Sequence, residues 1–247
     1  MITIKDISKS FDKKEVLSDI SFEIKKGEIH FIIGKSGSGK TVLAKHIVGL
    51  LKPTNGQIIF DKKIITTLKE KELVEIRKKI SYVFQHSTLF DFMTVYKNIE
   101  FPILKHNKKI KKDDLKKRVE KYISELKLEQ FKDKYPAEIG LATQKKVAIA
   151  RALAMNPEYI IYDEPTTGLE YKDAREIDKM IFEMSRKLDV TAIVISHDLE
   201  SIFTISDKVT LINQGKLVVS LSKKEFMENN NKIIKELVEL YYSTNSL

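Results

Sequence analysis

The stretch Gly34-Lys35-Ser36-Gly37-Ser38-Gly39-Lys40-Thr41 decides the fold. It fits the pattern G-x-x-x-x-G-K-[ST], and its flanks are the ones the pattern needs. Ile29–Ile33 before it is almost wholly apolar, as a strand buried on both faces must be. Thr41–Leu50 after it reads as a helix. Glycines let the backbone curl so that successive N–H groups point at one spot, and the helix N-terminus adds its positive end. Such a cradle suits phosphate. Lys40 is placed to reach β- and γ-phosphates, and the Thr41 hydroxyl to ligate Mg²⁺.

Outward from this loop, strand-like and helix-like segments alternate. Met1–Ile7, Ser21–Ile24, Glu28–Ile33, Gln57–Phe60 and Ile80–Phe84 read as strands before the midpoint, with Lys26-Gly27 and Pro53-Thr54-Asn55-Gly56 as turns. From His86 to about Asn156 the pattern is mostly helical, with Asp113–Leu126 and Gln144–Met155 the clearest helices. Strands return at Tyr159–Tyr162, Val190–Ile195 and Lys208–Ile212, with a long helix over Tyr171–Leu188. This order predicts an α/β fold with a mostly parallel sheet core and an inserted helical subdomain. The tail is polar from Asn229, then carries Ile233, Ile234, Leu237, Val238 and Tyr241 at helical spacing. That stripe could pack on its own domain or on a partner.

Three further signals fall just after strand runs. Tyr159–Tyr162 ends in Asp163 and Glu164, at the end of a parallel strand where ligands bind. Asp163 is placed to hold Mg²⁺ through water, and Glu164 to polarise an attacking water. Gln85 follows Ile80–Phe84, where a neutral amide could contact the metal or the water and move. His197 follows Val190–Ile195 and could donate to a γ-phosphate. Each would be unremarked alone. Their order, phosphate loop, Gln, acidic pair, His, gives them weight.

That ordered set resembles the ABC transporter ATPase family over nearly the whole chain. Gly34–Thr41 looks like its Walker A, Gln85 like its Q-loop and Ile160–Glu164 like its Walker B. Thr167-Gly168-Leu169-Glu170 resembles the D-loop, and Ser196-His197-Asp198 the switch histidine. Val147–Leu153 is similar to the helix after the signature loop. Phe11 stands where the family stacks an aromatic ring on adenine, and Val16 is assigned to the same nucleotide site. The resemblance implies a P-loop NTPase of ABC type with an antiparallel β subdomain. It implies one ATPase domain over 1–247: a core and β subdomain from 1–85 and 158–225, a helical subdomain at 86–157 and a helical tail at 226–247. ATP and Mg²⁺ are the implied cofactors, with Thr41, Gln85 and Asp163 toward the metal.

The resemblance also implies partners. Two such domains pair head to tail, most simply as a homodimer, and drive a membrane permease present in two copies. Within the family, Phe84–Asp91, Met93–Ile99 and Phe101-Pro102-Ile103 are similar to the Mla/Mce-type phospholipid transporter ATPases, which adds lipid as the expected cargo and an Mce-type or substrate-binding protein as a further partner. Leu89, Phe90, Phe92, Met93 and Tyr96 either line the groove for the permease or fill the helical subdomain core. Two departures stand out. The family's Leu-Ser-Gly-Gly-Gln signature aligns with Ile139-Gly140-Leu141-Ala142-Thr143, with a helix expected from near Thr143, and the D-loop aspartate is Glu170. Gly140, Leu141 and Ala142 would face the other subunit's γ-phosphate. An ATP-gated regulatory or structural subunit with weak hydrolysis is therefore the alternative reading.

Composition narrows the rest. The chain has 247 residues, 42% hydrophobic and 32% charged, enough to bury a sizeable core. No apolar run reaches the ~20 residues of a spanning helix, and MITIKDISKS has no apolar signal core. Membrane contact is thus expected through the permease, on the cytoplasmic side of the inner membrane. Cysteine is absent, which removes disulfides and thiolate metal sites. Lys+Arg exceed Asp+Glu by 44 − 35 = 9, but the lysines are dispersed apart from Lys108–Lys112, so a solvated surface is expected and no nucleic-acid partner. A single phosphate loop also counts against the translation-type ABC proteins, which usually carry two such domains.

Overall fold

The computed structural model describes residues 1–12 and 14–245. The last two positions of the expected tail, 246 and 247, lie outside the described residues. Two sheets organise the chain. The first is antiparallel, built from β1 (Ile2–Phe11), β2 (Lys14–Ile24), β4 (Asn55–Phe60) and β5 (Lys63–Ile64) in the order β2-β1-β4-β5. The second contains β3 (Ile29–Ile33), β6 (Ile80–Val83), β7 (Tyr159–Asp163), β8 (Thr191–Ser196), β9 (Lys208–Asn213) and β10 (Lys216–Ser222), in the order β10-β9-β3-β8-β7-β6. All of its pairings are parallel except the β9–β10 hairpin at one edge.

Burial explains the parallel sheet. Every residue of β3, β7 and β8 is buried, as central strands covered on both faces require. One face packs on α1 (Lys40–Ile47), α2 (Glu70–Arg77) and the antiparallel sheet, through a core that includes Ile32, Leu43, Ile47, Leu73 and Ile161. The other face packs on helices of the insertion and beyond: α3 (Val95–His106), α4 (Lys112–Glu125), α5 (Leu141–Leu153), α6 (Tyr171–Leu188) and α7 (Leu199–Ile205). Short α8 (Lys223–Met227) leads to α9 (Lys232–Asn245). Ile234 is fully buried, and Ile233, Leu237, Val238 and Tyr241 pack on the same core, with Tyr241 4.6 Å from the Phe203 ring. The stripe therefore covers its own domain.

The structure corrects several expected boundaries. β1 and β2 are longer than the alternation suggests, because Asp6 and Asp19 take positive φ and the β1–β2 register shifts along their length. Each such irregularity resets the inside–outside alternation. α3 has Pro102 inside it, a residue that hides a helix from inspection. Its start is secured by Thr94, whose hydroxyl accepts from the Lys97 N–H, and by buried Asn98, whose amide donates to the carbonyls of Phe90, Met93 and Thr94. α5 begins at Leu141, two residues before the expected start near Thr143. Leucine and alanine are good helix formers, so the helix extends into positions where glycines would have ended it.

Candidate active site

The parallel strands deliver their C-terminal ends to one edge. β3 runs into the phosphate loop, β7 into Glu164, β8 into His197, and β6 stops two residues before Gln85. A cleft of 890 Å³ lies there, lined by Lys35 to Val42, Gln85, Glu164 and His197, with Lys14, Glu15, Val16, Gln214 and Gly215 forming its outer wall. Local sequence shapes the loop. Gly34 has φ +152°, and a Cβ on it would come within 2.1 Å of the Ile212 carbonyl oxygen. Gly39 has φ +100°, with Leu17 where a Cβ would sit. Only glycine fits at both places.

Lys40 is nearly buried, and its ammonium donates to the loop's own carbonyls, Gly34 at 2.7 Å and Lys35 at 3.1 Å. Burial lowers its pKa, while Glu164 and Asp163 pull the other way. Thr41 donates to one oxygen of Asp163 at 3.3 Å, and Tyr82 donates to the other at 2.8 Å. Burial raises the Asp163 pKa, partly offset by those two bonds, and burial together with Asp163 raises that of Tyr82. The hydroxyl, carboxylate and amide oxygens of Thr41, Asp163 and Gln85 are hard donors, the set that suits Mg²⁺ beside phosphate. Too few protein ligands gather for a metal held by the protein alone; among the described residues no group of three His, Cys, Asp or Glu does so. A cation shared with substrate phosphates fits this site.

Glu164 is held in the left-handed region at φ +50°, with its N–H donated to the Ile195 carbonyl. Its carboxylate accepts from the Thr167 hydroxyl at 3.1 Å, and both its oxygens face the His197 Nδ1, at 3.0 and 2.8 Å. A non-glycine residue in that conformation is uncommon and persists where surrounding bonds enforce it. Asp198, next to His197, caps α7 by accepting from the Glu200 and Ser201 N–H groups and is gripped by Arg175.

Not every expected residue reaches the cleft. Val16 lines it, but Phe11 does not: that ring is 43% exposed, with the Lys9 ammonium 5.0 Å above it. A residue in a hairpin at the rim could reach a ligand without lining the cleft itself. Gly140, Leu141 and Ala142 lie away from the cleft, at the N-terminus of α5. Gly140 is the cap and offers no side-chain bond, Leu141 is 44% exposed, and its Cδ2 approaches Gly168 of the D-loop-like turn. Glu170 caps α6 in the same way. Thus the altered loops form one exposed surface that faces outward. Sequence reasoning missed Tyr82 and Lys145, neither of which carries a local signal, and it placed Thr167 in the D-loop-like turn without its bond to Glu164.

A family model described as "ABC transporter" matches residues 17–167. A methionine import ATP-binding protein, MetN 1, of Bacillus cereus is 37% identical over 233 residues, 93% of this chain and 67% of its own length. The MetN of Carboxydothermus hydrogenoformans is also 37% identical, over 88% of this chain and 65% of its own. The chain thus spans about two thirds of these relatives. Among solved structures, the ATP-binding cassette MJ0796, in a dimeric post-hydrolysis state bound to ADP and Pi, matches with a TM-score of 0.82 at 29% identity, covering 90% of this chain and 99% of that one. The cbiO1 protein of Clostridium perfringens, part of an ABC transporter complex, matches with a TM-score of 0.85 at 32% identity, covering 95% and 93%.

Proposed function

This chain belongs to the ABC transporter family of ATPases, and from that membership we propose that it energises an importer of a small amino acid, methionine being the cargo its relatives are named for. The observation that carries the ATPase part is the single cleft in which the phosphate loop meets Gln85, Glu164 and His197. The cargo part rests on the relatives, whose similarity runs over about nine tenths of this chain. The earlier likeness to Mla/Mce-type phospholipid ATPases finds no support among them, and neither lipid nor an Mce-type partner is retained.

In this reading the loop amides and Lys40 take the β- and γ-phosphates, with Lys40 exchanging its bonds to Gly34 and Lys35 for bonds to phosphate. Thr41 and Asp163 would hold Mg²⁺, with Gln85 beside them, and the ion would supply charge neutralisation of the phosphates. Glu164, fixed by Thr167 and His197, orients the attacking water. With its Nδ1 proton given to Glu164, His197 donates from Nε2 to phosphate only as the imidazolium. Among the described residues no helix is long and apolar enough to cross a membrane. Contact with the membrane would therefore come through a permease. The groove lined by Phe92, Met93, Phe101, Leu104 and Tyr135 is the docking surface we assign to it: Phe92 is 75% exposed, whereas Leu89 and Tyr96 turn into the core.

Glu164→Gln tests the chemistry. It should leave ATP binding intact and cut hydrolysis by about 10²–10⁴-fold, the usual range for losing a general base. Parent-like hydrolysis would remove Glu164 from that role. For the cargo, ATPase of the chain assembled with its permease in vesicles should rise with methionine. A rise with phospholipid and none with methionine would overturn that reading.

A further inference from the structure

Lys145 is a buried cation with no part in the chemistry described above. It sits in the second turn of α5 and is 4% exposed. Its ammonium meets main-chain carbonyls: it donates to Gln85 at 3.0 Å and lies 3.5 Å from the Glu164 oxygen. Those are two of the cleft's lining residues, and they come from different strands. Farther along the same helix, Arg151 donates to the carbonyls of Ser87 at 3.1 Å and Thr88 at 3.0 Å. Thr88 itself is held at φ +45°. α5 thus grips the segment from Gln85 to Thr88 by two cations and three carbonyls. Through Lys145 it also reaches the start of the Glu164 turn.

We infer that Lys145 is a positioning residue that fixes Gln85 relative to Glu164 and makes both move with α5. The inference rests on the ATPase reading above. Stability alone is a poor reason to keep a lysine here. A buried cation is costly to desolvate, and neutral carbonyls repay that cost only in part. An apolar side chain of similar size commonly serves a fold as well or better. What the apolar chain lacks is the donor that spans two elements. Gln85 and Glu164 are separated by the whole helical insertion in sequence, and β6 and β7 hold only their strands in register. Beyond the strand ends, Lys145 contacts a backbone oxygen in each of the two loops. Because α5 is capped by Gly140, the same contact links the cleft of this subunit to the surface it would offer a second one.

The test is Lys145→Met in the purified full-length chain with Mg-ATP. The variant should melt at or above the parent temperature and bind ATP within about twofold of it, while kcat falls by about tenfold or more, since small displacements of positioned groups cost up to about 10² in rate. Hydrogen exchange gives a second reading. In the parent, nucleotide should change protection of residues 84–88 and 140–146 together; in the variant the second segment should stop responding. If the methionine variant does not fold, Lys145→Gln, whose side chain is uncharged and one bond shorter and so spans the two carbonyls less well, should lower kcat in the same direction without lowering the melting temperature. Parent-like kcat with linked exchange overturns the inference, and so does a lower melting temperature with kcat and KM unchanged, which would make Lys145 merely structural. Failure of the parent to bind ATP would overturn the ATPase reading itself, and it shows before any variant is compared.

Discussion

Restoring a serine and two glycines at the start of α5, Gly140→Ser with Leu141→Gly and Ala142→Gly, should raise turnover and lower stability at once. The two effects come from different places. In a closed pair, this helix N-terminus would face the γ-phosphate of the other subunit, as the family resemblance implies. Its first N–H groups and dipole already point there. What it lacks is a hydroxyl donor at position 140 and clear access to the backbone at 141, where a leucine side chain stands 44% exposed. A Cβ on Gly140 would meet nothing within 4 Å, so serine fits without rearrangement. Loss of one preorganised donor to developing charge costs about 2.7–4 kcal/mol, or roughly 10²–10³ in rate. A gain of at least about tenfold is therefore the cautious expectation. The stability side runs the other way. Two glycines in place of leucine and alanine cost at most about 1 kcal/mol each in a helix, and a serine cap in place of glycine returns a few tenths. The net loss of roughly 1.5 kcal/mol should lower Tm by about 3–6 °C in a chain of this size. The assays are steady-state ATPase and a thermal melt of the same preparation. Equal rates in parent and restored protein would refute the reasoning. They would mean that the bare helix terminus already suffices, or that the active pair takes its signature from a different subunit.

Other expectations follow from the core and the cleft. Lys40→Ala removes the ammonium that the loop carbonyls hold ready, and calorimetry should show ATP affinity falling at least about tenfold, roughly 1.4 kcal/mol; unchanged affinity and turnover would sink the assignment. Ile234→Ala should cost about 2–5 kcal/mol in urea unfolding of the dilute, nucleotide-free chain, because that side chain is fully buried against its own domain; a loss seen only in an assembled complex would place α9 at a partner instead. Asp178 is pushed up to about 7 by burial, against the opposing pull of Arg175 at 2.8 Å. The folded chain therefore keeps a proton that the unfolded chain releases, so this group's contribution is fully present below the ordinary value of 3.8 and is lost as pH rises through about 7. Melts across that window should fall with rising pH by up to about 1.4 kcal/mol per pH unit from this group, and Asp178→Asn should flatten the slope; an identical slope would show that Asp178 is ionised throughout.

The phosphate loop was legible because eight adjacent residues carry the whole device: the turn, the cradle and the helix start are local. Asp163, Glu164 and His197 were legible because each ends an apolar strand, and strand ends of a parallel sheet are where ligands gather. Tyr82 was not, because its place is set by pairing. Parallel register sets Tyr82 against Ile161, and Asp163 lies two residues on, on the same face. In sequence Tyr82 is one more half-buried strand residue. Lys145 was hidden for the same reason: helical spacing says that it faces inward, but not that backbone carbonyls await it there. Phe11 is a different case. The family resemblance sets it on adenine, and the β1–β2 hairpin holds its ring beside Lys9, outside the lining of the cleft.

α5 brings these observations to one point. Its first turn faces away from the cleft of its own subunit, so the substitutions at Gly140, Leu141 and Ala142 leave the phosphate loop, Asp163 and Glu164 untouched. Binding of ATP and its turnover are then separable by position. In the proposed pair, Lys40 would act on the first within one chain, and the α5 terminus on the second across the two chains. The inward side of the same helix carries Lys145 and Arg151, which hold the Gln85–Thr88 segment. If Lys145 positions these loops as proposed, a change in how the α5 terminus meets a neighbouring subunit would have a direct route back to Gln85 and Glu164 in its own cleft. A slow site built this way would still report nucleotide occupancy to whatever the helical subdomain touches. For that reason the altered signature is compatible with a working transport subunit, and the rate of the restored loop, more than its sequence, decides how much of the chemistry this chain performs.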